Sequence, residues 1–170
     1  MALISYKKAV RLAIVFCLSS WPYGAQAQDG SPTTAIAADP DRLSEMFAWW
    51  NGAMAQPGAF TEEGFAAYFT SDAPLLIDGA EVMRGPAGWA ERFQMIQQMT
   101  DAVEIVLPFR YSFQQGDRIY TYHIIRSRAQ GKVSCMLAAG HADLVGDKIG
   151  RVTLVRAEID PASDPDCWRE

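Results

Sequence analysis

Histidine, cysteine and basic charge are all scarce in this 170-residue sequence. It contains two histidines and three cysteines, and 15 Lys and Arg stand against 20 Asp and Glu, for a formal net charge of -5. The His, Cys and acidic residues follow no metal-ligand spacing, and no glycine-rich phosphate loop occurs. We therefore predict no metal site. The acidic balance argues against nucleic acid and anionic membrane surfaces as partners.

A long hydrophobic run is also missing. The apolar stretch at residues 12–18 is far shorter than the ~20 residues of a membrane-spanning helix. Lys7, Lys8 and Arg11 precede it and small residues lead to Ala27, which is typical of a secretory signal peptide cleaved after Ala27. Cleavage removes three basic residues and no acidic one, so the formal charge changes from -5 to -8. We expect an exported protein, periplasmic in a Gram-negative bacterium, without membrane insertion after processing.

The mature chain has the length of one domain with a substantial core. The predicted organisation is a signal peptide at 1–27, a flexible leader at 28–40, one domain at 41–160 and a tail at 161–170. Cys135 and Cys167 remain after cleavage, in a compartment where thiols oxidise. Either they form a disulfide that ties the tail to the domain, or one is buried and the other lies on a frayed tail.

Apolar residues at helical spacing predict three helices before residue 100. The first starts with Asp39 as N-cap and Pro40 at the first helical position, the second follows the cap Thr61, and the third is entered through Gly85-Pro86. Between the last two, Asp78-Gly79 is a favourable turn between two short strands.

After the third helix the period changes to that of strands. Four long strand-like segments, 102–117, 118–131, 132–147 and 148–160, are separated by turn residues. Helices followed by an antiparallel meander predict an α+β fold, with the helices on one face of a curved sheet.

Gln130-Gly131 as a two-residue turn would set the register of the central hairpin. His123 then lies opposite Ala138, and alternation puts it on a face with small, mostly uncharged residues, whereas His141 lies on the opposite face with tyrosines and arginines. A hairpin longer by one residue would bring both histidines to one face. In the last segment, Leu154 packing inward would bring Arg156 to the mouth of a cavity on the first face.

The stretches FTSDAPLLIDGAEVMRGPAGWAERF and LVGDKIGRVTLVRAEID, with this order of elements, resemble the nuclear transport factor 2-like superfamily in its SnoaL-like branch. The resemblance covers about residues 41–160. It implies a cone in which three N-terminal helices and a curved, mostly antiparallel sheet enclose an apolar pocket. It also implies chemistry without a cofactor and a homodimer formed through the outer sheet face.

The resemblance does not favour steroid isomerisation. The acidic hydrogen-bond donor of ketosteroid isomerases falls on Gly140, their first-helix tyrosine near Phe47, and their general-base aspartate near Ile77 and Asp78. An enolate intermediate would therefore lack its usual donors.

A different set of polar and aromatic residues remains. The predicted catalytic residues are His123 as acid or base, Asp78 as base or partner, and Arg156 as a cationic donor. The predicted substrate-binding residues are Trp50, Asn51, Arg84, Thr121, Ile125, Ser127, Met136 and Leu154. Four of the polar candidates have a structural alternative: a packed core histidine for His123, a turn-forming Asp78, an Arg84 bound to backbone carbonyls, or an Arg156 paired with Glu158 or Glu104.

Two functions from different classes follow. The first is a cofactor-independent lyase, dehydratase or isomerase acting on a small apolar or aromatic molecule. The second is a non-catalytic module that binds a hydrophobic ligand or dimerises. Catalysis requires His123 to lie within hydrogen-bond reach of a second polar group in an open cavity, whereas binding requires only the cavity.

Overall fold

The computed structural model describes residues 41–169, so the predicted signal peptide and leader lie outside the described residues. Three α-helices are present there, as predicted: α1 at Arg42–Met54, α2 at Glu62–Ala66 and α3 at Gly85–Met99. In α1 the cap is Asp41 rather than the predicted Asp39, because the extended Asp41 backbone lets its carboxylate accept a hydrogen bond from the Ser44 N–H at 2.8 Å. Thr61 caps α2 in the same way, as expected.

Within residues 41–169, seven strands form one curved, mixed sheet. They are β1 at Pro74–Ile77, β2 at Ala80–Arg84, β3 at Ala102–Ile105, β4 at Tyr111–Gln115, β5 at Arg118–Ala129, β6 at Lys132–Val145 and β7 at Lys148–Ile159. The order is β2-β1-β7-β6-β5-β3, with β4 also pairing with β5. Neighbours are antiparallel except β1 and β7, which run parallel. The α+β cone expected from the sequence is therefore confirmed.

The predicted single strand at 102–117 is two strands, which corrects the sequence-based expectation. β3 ends at Ile105, paired with Ile125, and β4 resumes at Tyr111, paired with Tyr122. Pro108 lies in the interruption and has no N–H to donate to the β5 ladder. The connection leaves the sheet edge and brings Phe109 into the core.

The register of the central hairpin follows the two-residue turn. Gln130 and Gly131 both have positive φ, at 52° and 75°, as such a turn requires. His123 pairs with Ala138, so the register predicted from the turn is confirmed and the longer hairpin is excluded. We call the side of β5–β7 that packs on the helices the inner face, and the side that carries Tyr120 and His141 the outer face.

The C-terminal segment folds back onto the outer face. After a 3-10 turn at Pro161–Ser163, Cys167 forms a disulfide with Cys135 of β6, with 5.8 Å between their Cα atoms. Of the two alternatives for these cysteines, the disulfide is the one found. Arg110 adds ion pairs to Asp164 and Asp166.

The helices of the described segment are all too short or too polar to span a bilayer. Within residues 41–169, no three His, Cys, Asp or Glu side chains come together in a way that could hold a metal ion.

Candidate functional site

A cavity of about 240 Å³ lies between α1, α3 and the inner face. Its deep wall is apolar, because the helices turn their core side toward it and alternate strand positions point inward. The buried lining residues are Phe47, Trp50, Leu75, Ile77, Trp89, Ile105, Ile125, Val152 and Leu154. They are part of one continuous hydrophobic core, so the cavity is a space left within a packed cone.

The mouth of the cavity is polar. It carries two arginines, Arg92 of α3 and Arg156 of β7, and the hydroxyls of Thr100 and Ser127. Arg92, Thr100 and Ser127 are half-buried and Arg156 is exposed, whereas the deep wall is inaccessible. The site therefore offers apolar contact at depth and positive charge at the rim.

Asp78 fixes the β1–β2 turn to the end of β7 beside this mouth. Its carboxylate accepts hydrogen bonds from the Arg156 backbone N–H at 2.9 Å and from the Arg156 guanidinium at 3.3 Å. Its own N–H donates to the Leu154 carbonyl at 2.9 Å. Asp78 has φ 53°, which an aspartate tolerates in such a turn. The two predicted residues are thus brought together, and Arg156 pairs with Asp78 rather than with Glu158 or Glu104.

His123 lies on the inner face, as the register predicts, but the structure places it outside the cavity. The imidazole is 0 % exposed and packs between Phe109 and Phe47, at ring-centroid distances of 5.0 and 6.0 Å. Among the described residues neither ring nitrogen has a hydrogen-bond partner. Burial lowers the pKa of His123 to about 4, so the ring is neutral at physiological pH. Phe47 and Phe109 fill the space beside His123, where the sequence predicted an open cavity. The catalytic role of His123 stays a prediction.

Asp78 and Arg156 are the catalytic candidates that the structure groups at the cavity mouth, and Arg156 itself lines it. Among the predicted substrate-binding residues, the structure places these in the lining: Trp50, Ile125, Ser127, Met136 and Leu154.

The other three predicted binding residues lie elsewhere. Asn51 makes a two-way amide contact with the backbone of Ile105, accepting from its N–H at 2.9 Å and donating to its carbonyl at 2.8 Å. Arg84 pairs with Glu81 and donates to the Asp72 carbonyl at 3.1 Å. It therefore binds a backbone carbonyl, which is the alternative to substrate binding given above. Thr121 is 5 % exposed and does not border the cavity. Asn51 thus links α1 to the end of β3, whereas the buried Thr121 hydroxyl has no hydrogen-bond partner among the described residues.

Sequence reasoning missed Arg92. It stands three residues after Trp89 and four before Ile96, and both of these line the same cavity. On a helix this spacing places Arg92 beside the apolar face formed by Trp89 and Ile96. That spacing was the signal that could have located it.

Gly140 is the position where the steroid isomerase pattern has its acidic donor. A Cβ added there would lie 2.0 Å from the Thr153 carbonyl oxygen and 3.0 Å from the Leu154 Cα. No side chain fits without separating β6 from β7, so this site cannot be restored by one substitution.

The outer face carries a second hollow, lined by aromatic side chains of β4 and β5 with His141 and Val155. Tyr111 is 72 % and Phe113 60 % exposed. His141 lies 3.9 Å from Asp143, and partial burial is the main cause that lowers its pKa. His141 therefore lies on the opposite side of the sheet from the inner cavity, on the face that the register predicted.

The fold and the cavity define a class: this is a protein with the nuclear transport factor 2-like fold. Solved structures similar to it include an NTF2-like protein of unknown function from Exiguobacterium, with 17 % identity over 70 % of this chain and 98 % of that one, TM-score 0.55. An NTF2-like protein from Anabaena variabilis has 14 % identity over 75 % and 91 %, TM-score 0.54.

A protein of ketosteroid isomerase-like fold from Catenulispora acidiphila, solved with trimethylamine, has 16 % identity over 65 % of this chain and 83 % of that one, TM-score 0.52. At these identities the likeness establishes the fold alone, and the SnoaL-like branch is compatible with it. No family model and no curated protein matches the sequence.

Proposed function

We propose that this protein binds a small apolar molecule in the cavity of the cone. The observation that carries the proposal is the 240 Å³ cavity, whose buried lining side chains are all aliphatic or aromatic. An engineered apolar cavity of about 150 Å³ holds benzene. The space here therefore suits a single substituted ring or a short branched chain. The aromatic side chains in the wall favour a flat ligand.

Binding is favoured over acid–base chemistry at His123 by the surroundings of that residue. A general base must reach the proton it removes, directly or through one water. The His123 ring is sealed between Phe47 and Phe109 and borders no part of the cavity. A ligand in the cavity would contact Ile125 and Leu154 instead.

Catalysis at the mouth is the second candidate, favoured by the contact of Asp78 with a cavity-lining Arg156. In a cofactor-independent lyase, dehydratase or isomerase, Asp78 would take a proton and Arg156 would bind an oxygen that gains negative charge. This arrangement needs no role for His123 beyond packing.

A matched pair of variants tests ligand binding. Leu154→Phe places a ring inside the cavity, whereas Val155→Phe places the same ring at an outward position that is 59 % exposed. Apolar compounds that co-purify with the wild-type protein are identified by mass spectrometry. We expect Leu154→Phe to lose them and Val155→Phe to retain them. Equal retention by both variants, or the absence of any bound or bindable apolar compound, would contradict the proposal.

Conversion of a bound compound separates the two candidate functions. Turnover that disappears in Asp78→Asn, a change that the positive φ tolerates, supports catalysis at the mouth. Turnover that disappears in His123→Ala with binding retained would restore the histidine as the catalytic group. If a ligand is bound and never converted, the result supports binding and contradicts catalysis.

We further propose that two copies of the mature chain associate through the outer face. The support is the aromatic hollow, where Tyr111, Phe113 and Val155 expose 72, 60 and 59 % of their surface. Sedimentation should show a dimer that dissociates in Phe113→Asp and persists in Met95→Asp, whose site on α3 is similarly exposed at 51 %.

We also propose, from the predicted signal peptide, that the protein is exported. The N-terminus of the exported protein should then be Gln28.

A further inference from the structure

We infer that the ligand of the cone is a carboxylic acid, with its apolar part in the cavity and its carboxylate between Arg92 and Arg156 at the mouth. The inference rests on the proposed binding function and goes beyond it by naming the chemical class of the ligand. Within residues 41–169, the charged side chains that line the cavity are these two arginines, and no acidic residue lines it.

The charge at the mouth is only partly compensated by the protein. Arg156 has one carboxylate partner, Asp78, whose Oδ2 lies 3.3 Å from Nη2. In the described part of the chain Arg92 has no carboxylate within 4.0 Å and makes no side-chain hydrogen bond, although it is half-buried. The two guanidinium groups at the mouth thus have one carboxylate partner in total, which pairs with Arg156. One positive charge is left for a ligand.

The chemistry of these groups selects a planar anion. A guanidinium presents parallel N–H donors that match the two oxygens of a carboxylate. The Ser127 hydroxyl, also at the mouth, makes no hydrogen bond to the described residues and can donate a further one. The Thr100 hydroxyl already donates to the Ile96 carbonyl at 2.7 Å, so its proton is committed.

The two ends of the cavity also fix the orientation of such a ligand. A carboxylate placed against Phe47, Trp89 and Leu154 would lose its hydration without gaining a partner, which is costly. Placed at the rim, it keeps contact with water and with both arginines. The ring or chain of the acid then occupies the apolar end.

Binding of a matched acid and amide tests the inference. The probes are 3-phenylpropanoate and 3-phenylpropanamide, which share the ring and differ in charge. Their dissociation constants at pH 7.5 and low salt can be read from tryptophan fluorescence, since Trp50 and Trp89 line the cavity. We expect the acid to bind about ten-fold more tightly or better, as charged hydrogen bonds commonly provide. Salt should weaken the binding of the acid alone.

Variants locate the charge that is responsible. Arg92→Met and Arg156→Met should each remove most of the preference for the acid, because the affinity for the charged acid falls far more than the affinity for the neutral amide. Arg156→Lys should keep part of the preference. Arg151→Met is the control, because Arg151 is exposed on the same strand and does not line the cavity. Thermal unfolding of each variant shows that the fold is intact.

The outcomes separate this inference from the function on which it rests. Equal affinity for acid and amide, or equal weakening of both probes in the methionine variants, overturns the carboxylate site and leaves apolar binding in place. Failure of both probes to bind overturns the two proposals together.

Discussion

The two faces of the β5–β7 sheet are built from the same alternation of side chains and are covered in different ways. On the inner face, α1 and α3 cover the strands incompletely and leave an apolar cavity with arginines at its mouth. On the outer face, one end is covered by the chain's own C-terminal segment, around Ile124, Cys135 and Cys167. The other end is an exposed aromatic hollow. Alternation therefore assigns a residue to a face, and distant segments decide whether that residue is packed, exposed or beside a cavity.

Release of the C-terminal segment should cause the largest loss of stability and should leave the inner face intact. The disulfide closes a loop across a sequence separation of 32 residues. Chain-entropy arguments give about 3–4 kcal/mol for a loop of that size. Cys167→Ala should therefore lower the unfolding free energy by that amount in urea titration, with ligand binding retained.

A reductant provides the control for this variant. Wild-type protein in a phosphine reductant should approach the stability of Cys167→Ala, and the variant should not respond. Undiminished stability in Cys167→Ala would show that the ion pairs of Arg110 hold the segment without the disulfide.

The two faces also show how far the sequence predicts this fold. The turn at Gln130-Gly131 is a local signal, and it sufficed to assign His123 to the inner face. The third helix and the Thr61 cap of the second helix are likewise set by neighbouring residues.

The cavity depends on contacts between distant segments, which local patterns do not reveal. Phe109 reaches His123 because the chain leaves the sheet between β3 and β4, a bend that strand periodicity alone did not predict. The side-chain amide of Asn51 makes two hydrogen bonds with the backbone of Ile105, 54 residues away. The sequence thus predicted the side of the sheet for each residue but not its depth in the cone.

The burial of His123 should be visible in the pH dependence of stability. Its pKa is about 4 in the folded state, against an ordinary value near 6.5, so the unfolded chain binds the proton more tightly. Stability attributable to this residue is constant above pH 6.5 and falls as the pH drops toward 4. The loss amounts to about 3 kcal/mol when complete.

His123→Leu keeps a similar volume and removes the titrating ring together with its two unpartnered nitrogens. The difference in unfolding free energy between variant and wild type should grow in favour of the variant between pH 6.5 and 4. Carboxylates that titrate in the same range cancel in this difference. Parallel curves would place His123 in contact with solvent or a partner, and would reopen the inner face as an acid–base site.

The smallest effect is expected from the stacking that closes the covered end of the outer face. The Trp168 ring lies under two guanidinium groups, with the Cζ atoms of Arg126 and Arg128 at 5.1 and 5.3 Å from its centroid. Trp168→Leu keeps an apolar contact but removes the π face, which should cost about 1 kcal/mol. Trp168→Phe retains a weaker face and should cost less. A double-mutant cycle with Arg128→Met measures the coupling directly. Because this contact belongs to the outer face alone, a change in the affinity of a cavity ligand in Trp168→Leu would show that the two faces are coupled through β5 and β6.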